Sequence, residues 1–332
     1  MYEFDNMGRT VCVRNADGSF SQVGYDEDKE GTENRITHAS SGEQYVNNLL
    51  NDSSAENSTL GWTAFDNDAV LSVDTNEHFL GKNSLKIEKT VSNTSRPGYY
   101  QNINVSEKTE YTLSAYVKTD SVEERSSGNG AGLYVKFYDS TNTEIANSVQ
   151  YSYGITGTND WQRTKLTFTT PEGTKFVRVF VSIFSAKGTA YFDCMQLEKG
   201  NAVNDYNMLQ NSSFSTSSNW TTSKLATGDG INTSTGKLKI SGSATQNRSV
   251  SQTVQINRAH TGFTISAVST GNSVPLSSDD RAYGVKLEVH YSDNSTDEKI
   301  ASFNTATSAE QKTSATYVIP QEKQDLTITY VV

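Results

Sequence analysis

The chain has 332 residues, a formal net charge of −10 and only 34% hydrophobic residues. Pro is scarce at 4, while Tyr at 17 outnumbers Phe at 13 and Trp at 3. This composition is polar, but it lacks the Pro- and Glu-rich pattern of a disordered chain, so we expect a folded and mostly β protein. The negative charge argues against a nucleic-acid partner, and no apolar stretch reaches the roughly 20 residues of a membrane span.

The first 45 residues carry a pattern of their own. They contain YEFDNMGR at 2–9, an Asp-Gly pair at 17–18 that predicts a β-hairpin turn, and YDEDKEG at 25–31. This segment resembles a YD repeat of the RHS family, with Phe4 in place of the second tyrosine of that pattern. The acids at positions 26, 28 and 30 imitate the start of an EF-hand loop, but Thr37 stands where a bidentate Glu belongs, so we interpret them as a charged turn.

The remainder of the chain repeats itself. The segment NNLLNDSSAENSTLGWT at 47–63 returns as YNMLQNSSFSTSSNWT at 206–221, and later segments recur in the same order. YTLSAYVKT at 111–119, for example, matches FTISAVSTG at 263–271. Repeats in a conserved order predict two homologous domains, over residues 46–200 and 206–332.

Both repeats show the period of β-strands. In the segment GLYVKFY at 132–138 every second residue is apolar, and Gly, Asn, Asp and Ser bound most such segments. About eight short strands per domain predict two antiparallel sheets packed as a sandwich, and the wide strand spacing favours jelly-roll crossovers. The predicted fold class is all-β: two consecutive jelly-roll sandwiches after a short YD-repeat hairpin segment.

Several segments also resemble the carbohydrate-binding-module-like jelly rolls inserted among YD repeats in large wall-associated proteins of Gram-positive bacteria. They are NLLNDSSAE at 48–56, YTLSAYVKT, WQRTKLTFTTP at 161–171, GTAYFDCMQLEKG at 188–200 and GNSVPLS at 271–277. The resemblance implies a secreted or cell-surface parent protein whose signal peptide lies upstream. It does not by itself fix the function.

Enzyme signatures are missing from the sequence. The four histidines are isolated, and there is no HExxH, no GxSxG and no phosphate-binding loop. Cys12 and Cys194 are far apart and show no metal-binding spacing. We expect a non-catalytic protein with two free thiols, although a bridge between these cysteines stays open.

The resemblance to carbohydrate-binding modules implies one structural Ca²⁺ in the first repeat. It places Glu56 after the NLL segment and Asp193 in the FD of the last strand as ligands, with loop carbonyls completing the oxygen shell. The alternative is two solvated acids. In the second repeat Ser215 replaces this Glu, so no calcium is expected there.

Sugar binding needs aromatic rings with polar groups beside them. If the residues at 113, 115, 117, 133, 135, 137, 177, 179 and 181 face the core, alternation turns another set outward. The predicted carbohydrate-binding residues in that set are Tyr116, Tyr134, Tyr138, Arg178, Phe180 and Phe184. The corresponding positions of the second repeat, such as Lys286, Glu288 and His290, are polar. Two alternatives stay open: the rings are covered by loops or a partner, or they are plain surface residues.

The sequence thus predicts a non-catalytic, carbohydrate-binding-like region of a large YD-repeat protein that binds a polysaccharide or glycoconjugate. The alternative is a structural spacer or adhesin segment of the YD-repeat shell with no glycan site. The rest of the parent protein is the second expected partner.

The end of the second repeat predicts a missing element. The first repeat continues after Pro171 through two strands, ending in GTAYFDCMQL at 188–197, whereas the second has only LTITYVV at 326–332 after Pro320. We expect the second sandwich to lack its last strand, to be the less stable of the two, and to belong to a longer chain.

Overall fold

The computed structural model describes residues 47–323 except 58, 60, 127, 244, 257–261, 273 and 275–281. Outside these residues it gives the backbone of five strands, at 2–4, 10–14, 19–27, 34–43 and 328–331. The predicted hairpin turn at 15–18, most of the acidic string, and the Cys12 side chain lie outside the described residues. In the part of the chain that is described, no helix is long and apolar enough to cross a membrane.

The N-terminal segment forms one antiparallel sheet in the order β1-β2-β3-β4. Its strands are β1 (Tyr2–Phe4), β2 (Thr10–Arg14), β3 (Ser19–Glu27) and β4 (Asn34–Glu43). Strands β2 and β3 pair next to the predicted turn. The assignment of this sheet to a YD repeat stays a prediction.

The first sandwich is built from ten strands. They are β5 (Thr63–Phe65), β6 (Val70–Asp74), β7 (Ser84–Lys89), β8 (Gly98–Asn104), β9 (Glu110–Glu124), β10 (Gly130–Tyr138), β11 (Gln150–Tyr151), β12 (Gly157–Thr169), β13 (Phe176–Phe184) and β14 (Ala186–Lys199). The front sheet has the order β11-β10-β13-β8-β5, and the back sheet has the order β12-β9-β14-β7-β6. From β8 to β10 and again from β12 to β14, the chain alternates between the two sheets, which is the connectivity of a jelly roll.

The core lies between the two sheets. The predicted inward set is buried in one hydrophobic cluster, and each of these side chains is at most 1% exposed: Leu113, Ala115, Val117, Leu133, Val135, Phe137, Val177, Val179 and Val181. Burial of a Val, Leu or Phe side chain contributes about 1.5–3 kcal/mol. The predicted all-β sandwich fold and its inward phase are therefore confirmed for this domain.

The first turn of each repeat is held by the same pair of contacts. The indole Nε1 of Trp62 donates to the carbonyl of Asp52 at 3.0 Å, and Trp220 donates to the carbonyl of Asn211 at the same distance. Asp52 and Asn211 both adopt positive φ, at 45° and 53°. The repeated tryptophans therefore fix the turn that opens each sandwich.

A glutamine amide reinforces this turn in both repeats. Gln101 accepts from the backbone N–H of Asn51 and donates to its carbonyl, and Gln252 does the same for Gln210. Such two-way amide bonds satisfy two backbone groups that would otherwise be left without partners beside the core. The internal repeat is thus visible in individual hydrogen bonds.

In the part of the second sandwich that the structure describes there are ten strands and one short 3₁₀ turn. The strands are β15 (Thr221–Ser223), β16 (Gly230–Asn232), β17 (Lys237–Lys239), β18 (Ser249–Ser251), β19 (Thr253–Ile256), β20 (Gly262–Thr270), β21 (Gly284–Tyr291), β22 (Thr296–Ser302), β23 (Glu310–Val318) and β24 (Ile328–Val331). The turn spans Gln321–Lys323.

The second sandwich reproduces part of the first. Strand β24 lies between β19 and β21, as β13 lies between β8 and β10. Strands β20 and β23 pair as β9 and β12 do, but within the described residues no strand pairs with the other edge of β20. In the first sandwich β14 occupies that place and joins β9 to β7. Here β16 and β17 form a separate pair, so the second back sheet is divided.

The connection between the sandwiches is held by side chains. Buried Glu198 on β14 accepts from the backbone N–H and the side-chain amide of Asn204. Further along, the Tyr206 hydroxyl lies 2.7 Å from the Ser53 hydroxyl, and the Gln210 side chain accepts from the Ser53 backbone N–H. The start of the second repeat therefore packs on the first turn of the first repeat.

The opening turns differ at one atom. Asn211 Nδ2 donates to the carbonyls of Thr216 and Ser218. The equivalent atom, Asp52 Oδ2, is buried and has no hydrogen-bond partner among the residues that the structure describes. Burial raises the pKa of Asp52 to about 6 from 3.8. Because this carboxyl holds its proton more tightly when folded, its charge destabilises the fold increasingly as pH rises from about 4 to 6.

We expect Asp52→Asn to raise the free energy of unfolding by about 1–2 kcal/mol at pH 7.5 and by almost nothing at pH 3.5. The reciprocal change Asn211→Asp, which turns a carboxylate oxygen towards two carbonyls, should destabilise the second sandwich at pH 7.5. Urea denaturation at both pH values measures these differences. An Asp52→Asn effect that is the same at both pH values would contradict this explanation.

The divided back sheet leads to a second prediction. Amides on the unpaired edge of β20 should exchange hydrogen about a hundredfold faster than amides of β9 that pair with β14. Hydrogen exchange followed by mass spectrometry measures this difference. Equal protection of β20 and β9 would show that the β20 edge is covered in solution.

Candidate functional site

The outer surface of the front sheet, here called the front face, carries a row of aromatic rings. The register pairs Tyr134 with Tyr151 on one side and with Phe180 on the other, and Phe180 in turn with Tyr100. Because residues in register share one face of a sheet, these four rings cross it in a line, ending at Thr63 on β5. This central row forms the middle of the candidate site.

Neighbouring rows complete the front face. On one side lie a polar row of Lys136, Arg178 and Asn102 and a third row of Tyr138, Phe176 and Asn104. On the other side lie a row of Gly132, Ser182, Gly98 and Phe65 and a last pair, Gly130 and Phe184. The face thus combines rings, small residues and a polar strip.

The rings of the central row cover each other. Tyr134 and Phe180 stack with centroids 4.0 Å apart and planes at 8°, and Tyr151 stacks on the other side of Tyr134 at 5.4 Å. Tyr134 and Phe180 are 1% exposed and Phe184 is 3% exposed. Phe65 packs edge-on against Phe180, with the two ring centroids 5.3 Å apart. Packing across neighbouring strands therefore buries the middle of the row.

The expectation that these rings face solvent is wrong for Tyr134, Tyr138, Phe180 and Phe184. They do point away from the core, but neighbouring rings cover them. Tyr134 stacks on Phe180, Phe184 packs against Tyr151, and Tyr138, stacked on Phe176, is only 7% exposed. Arg178 is half-buried. Their role in carbohydrate binding stays a prediction.

Tyr116 does not join this face. It lies on β9 in the back sheet, where its ring stacks on Phe79 with centroids 3.6 Å apart. The Arg163 guanidinium lies over the same ring at 5.6 Å, and Trp161 meets Phe79 edge-on. Five of the six predicted residues therefore lie together, and the sixth lies on the opposite sheet.

The accessible rings are ones that the sequence pattern did not single out. Phe65 and Tyr151 are 36% and 38% exposed, Tyr100 is half-buried, and Tyr153 is 88% exposed. The alternation in GYYQNIN at 98–104 contains the signal for Tyr100. Phe65 and Tyr151 lie on strands of three and two residues, which are too short to show a period.

One polar group in the central row lacks a partner. The Tyr134 hydroxyl is buried and accepts or donates no hydrogen bond within the described residues. Burial raises the pKa of Tyr134 well above its usual range. An unsatisfied buried hydroxyl costs about 1–3 kcal/mol.

Arg178 is the best-positioned cation on the face. Its guanidinium lies 4.4 Å from the Tyr100 centroid and 4.7 Å from that of Tyr138, and its Nε donates to Asn102 at 2.8 Å. Lys136, in contrast, pairs with Glu144 at 3.0 Å. Two rings and an amide therefore hold the Arg178 plane in one orientation.

The corresponding strand of the second sandwich has no such rings. Its outward positions on β21 carry Lys286, Glu288 and His290, as predicted, and Glu288 contacts both of its neighbours. Lys286 and Glu288 neutralise each other, and these three positions offer no aromatic side chain of Phe, Tyr or Trp for stacking. The aromatic face belongs to the first sandwich.

The predicted calcium ligands converge on a single loop. Glu56 Oε1 accepts from the backbone N–H groups of Lys82 and Asn83, and Asp193 Oδ2 accepts from those of Phe79 and Leu80. Asp193 is fully buried, which raises its pKa to about 7, and the Glu56 charge adds to this.

This arrangement fits calcium only in part. Five backbone N–H groups donate to Glu56 Oε1 and to both Asp193 oxygens, the fifth being that of Cys194. Among the described residues no three His, Cys, Asp or Glu side chains cluster as a metal site. Two neighbouring carboxylates, one of them fully buried, would nevertheless gain from a cation with loop carbonyls as its other ligands. Calcium stays a prediction.

The free thiol of Cys194 lies next to this acid. It is fully buried, and burial together with the Asp193 charge raises its pKa well above the usual range. A thiol in such surroundings is unreactive. Cys194 is therefore a packing residue between the two sandwiches.

A protein-family model matches most of the first sandwich. Residues 47–187 match the family model described as a carbohydrate binding domain. This range contains the whole front sheet. The match supports placing the first sandwich among carbohydrate-binding modules.

Curated relatives cover more of the chain. The chain is 31% identical over 296 residues to tRNA nuclease WapA of Bacillus subtilis (strain 168). It is 30% identical, also over 296 residues, to tRNA3(Ser)-specific nuclease WapA of Bacillus spizizenii. In both cases 83% of this chain aligns with 12% of the relative. The chain thus spans about an eighth of the length of these relatives.

Solved structures with similar folds include xylan-binding modules. The CBM22-1 domain of Paenibacillus barcinonensis Xyn10C is 19% identical, with a TM-score of 0.34, and the alignment covers 48% of this chain and 97% of that domain. The CBM22-1-CBM22-2 tandem of the same protein is 17% identical, with a TM-score of 0.34, over 86% of this chain and 89% of the tandem.

The calcium prediction is tested by thermal unfolding. If Ca²⁺ binds through Glu56 and Asp193, millimolar calcium should raise the melting temperature of the full chain by about 5 °C or more relative to EDTA. Glu56→Gln should abolish this response, and Glu88→Gln, which neutralises an exposed acid on β7, should retain it. An equal melting temperature in calcium and in EDTA would show that the chain has no calcium site at Glu56 and Asp193.

Proposed function

We propose that the first sandwich is a non-catalytic module that binds a polysaccharide or glycoconjugate on its front face. The observation that carries the proposal is the central row of rings, flanked by a polar strip, within the residues that match a carbohydrate binding domain. Aromatic faces stack on the CH surfaces of sugars, and neighbouring polar groups bind their hydroxyls.

The proposal assigns different roles to buried and accessible rings. Tyr134, Phe180 and Phe184 form a rigid floor, because each is at most 3% exposed. Phe65, Tyr100 and Tyr151 stand around this floor and retain accessible surface for stacking. Asn102, exposed beside Arg178, supplies an amide for sugar hydroxyls.

We further propose that this module acts at a bacterial surface as part of a larger YD-repeat protein. The similarity to WapA proteins over a small part of their length supports a larger parent. In this arrangement any nuclease activity belongs to other regions, and the two sandwiches contribute attachment. A spacer or adhesin segment without a glycan site is the alternative.

We expect Phe65→Ala combined with Tyr151→Ala to weaken polysaccharide binding about tenfold or more, because each lost stacking contact contributes on the order of 1 kcal/mol. Both rings are more than one-third exposed, so the fold should survive their truncation. Affinity electrophoresis in gels containing soluble xylan or purified cell-wall polysaccharide measures the change.

The matched control is Tyr191→Ala, which truncates a half-buried tyrosine on the outer surface of β14 in the back sheet. It should leave retardation in the gel unchanged. Equal retardation of wild type and the double variant, or loss of binding with Tyr191→Ala, would move the site away from the front face. No retardation by any polysaccharide would favour the spacer.

A further inference from the structure

The front face carries more cations than acids. Its five rows contain Lys136 and Arg178, and the carboxylate of Glu144 lies in register with Tyr138 at the edge of the third row. Glu144 pairs with Lys136, and Asp66, outside the rows, accepts from the backbone N–H of Arg96. In a chain with a net charge of −10, Arg178 is therefore the cation that no acid among the described residues of the face neutralises.

Arg178 keeps its charge available. Within the described residues no carboxylate lies within ion-pairing distance, and its one hydrogen bond runs from Nε to Asn102. The two terminal Nη groups carry four further N–H donors in a planar fork, which matches the geometry of carboxylate and phosphate oxygens. The Tyr100 and Tyr138 rings fix this fork from both sides.

A second guanidinium lies beside the Tyr151 end of the central row. Arg96 contacts the Tyr151 hydroxyl through Nη1 and lies 5.0 Å from the centroid of that ring. Among the described residues its guanidinium has no ion-pair partner. Arg96 therefore lies beside Tyr151 at one end of the central row, and Arg178 lies in the neighbouring row, between the Tyr100 and Tyr138 rings.

We infer that the ligand of the front face is an anionic polysaccharide, whose carboxylate or phosphate groups are bound by Arg178 and Arg96 while its sugar or polyol units contact the rings. This inference rests on the proposed function and narrows it from polysaccharides in general to acidic ones. Uronic acids and glycerol phosphate polymers present the same oxyanion chemistry, and the test separates them.

The experiment measures binding of the full chain to polygalacturonate, to poly(glycerol phosphate) and to neutral xylan by isothermal titration calorimetry. We expect one of the two acidic polymers to bind at least tenfold more tightly than xylan. Arg178→Gln should weaken that binding about tenfold, and Arg178→Lys, which keeps the charge but loses the fork, should weaken it less.

Arg163→Gln is the matched control, since it removes an equal charge from a ring-stacked arginine on the back sheet. It should change the affinity less than twofold. Thermal unfolding of each variant verifies that the fold persists.

Ionic strength adds an independent readout. Overall repulsion between an acidic protein and an acidic polymer would make binding tighten as salt rises, whereas a local contact with Arg178 makes it weaken. We expect affinity to fall at least threefold between 50 and 500 mM NaCl for wild type, and to fall less for Arg178→Gln.

Xylan binding that equals or exceeds binding of both acidic polymers, with no effect of Arg178→Gln, would overturn this inference and leave the proposed function intact. Absence of binding to all three polymers, together with no retardation in any polysaccharide gel, would overturn both.

Discussion

The pairing of β10 with β13 is the contact on which the site depends. The register that sets Tyr134 opposite Phe180 also sets Leu133 opposite Val181 and Val135 opposite Val179, so one ladder of hydrogen bonds orders both surfaces of the front sheet. A shift of one residue would exchange the two faces, because side chains alternate along a strand. A register shift would expose the valine- and leucine-rich core face to water, and this free-energy penalty keeps the rings in their positions. The same strand register therefore determines both the core of the sandwich and the candidate site.

The same constraint explains what the sequence could and could not predict. Alternation within a strand is local, so the inward set around Leu133 and the outward direction of Tyr134 follow from the pattern alone. The sheet that a strand joins depends on the crossover that precedes it. For this reason the pattern alone places Tyr116, which lies on the back sheet, together with rings of the front sheet. Mutual burial of Tyr134 and Phe180 depends on the register between strands separated by about 45 residues. A local sequence pattern does not contain this register. It also does not reveal the position of Tyr151, because β11 has only two residues.

The two repeats show how one fold is used for different purposes. Both retain the tryptophan and glutamine contacts that fix the opening turn, at Trp62 and Gln101 and at Trp220 and Gln252. The first repeat adds rings and Arg178 on its front face, and no acid among the described residues forms an ion pair with this arginine. The second repeat places the ion pair of Lys286 and Glu288 on β21. Because Tyr206 and Gln210 pack against Ser53, the second repeat also supports the first. We therefore interpret the second sandwich as a structural neighbour and the first as the binding module.

The central claim is that a polysaccharide contacts the front face of the first sandwich. It is tested most directly by NMR titration of the isotopically labelled chain with an acidic oligosaccharide, following backbone amides and the Arg178 Nε–Hε group. We predict shifts confined to β5, β8, β10, β11 and β13 and to the Arg178 side chain, with β20 to β23 unchanged. Shifts centred on the back sheet around Tyr116, or on the second sandwich, would contradict the claim.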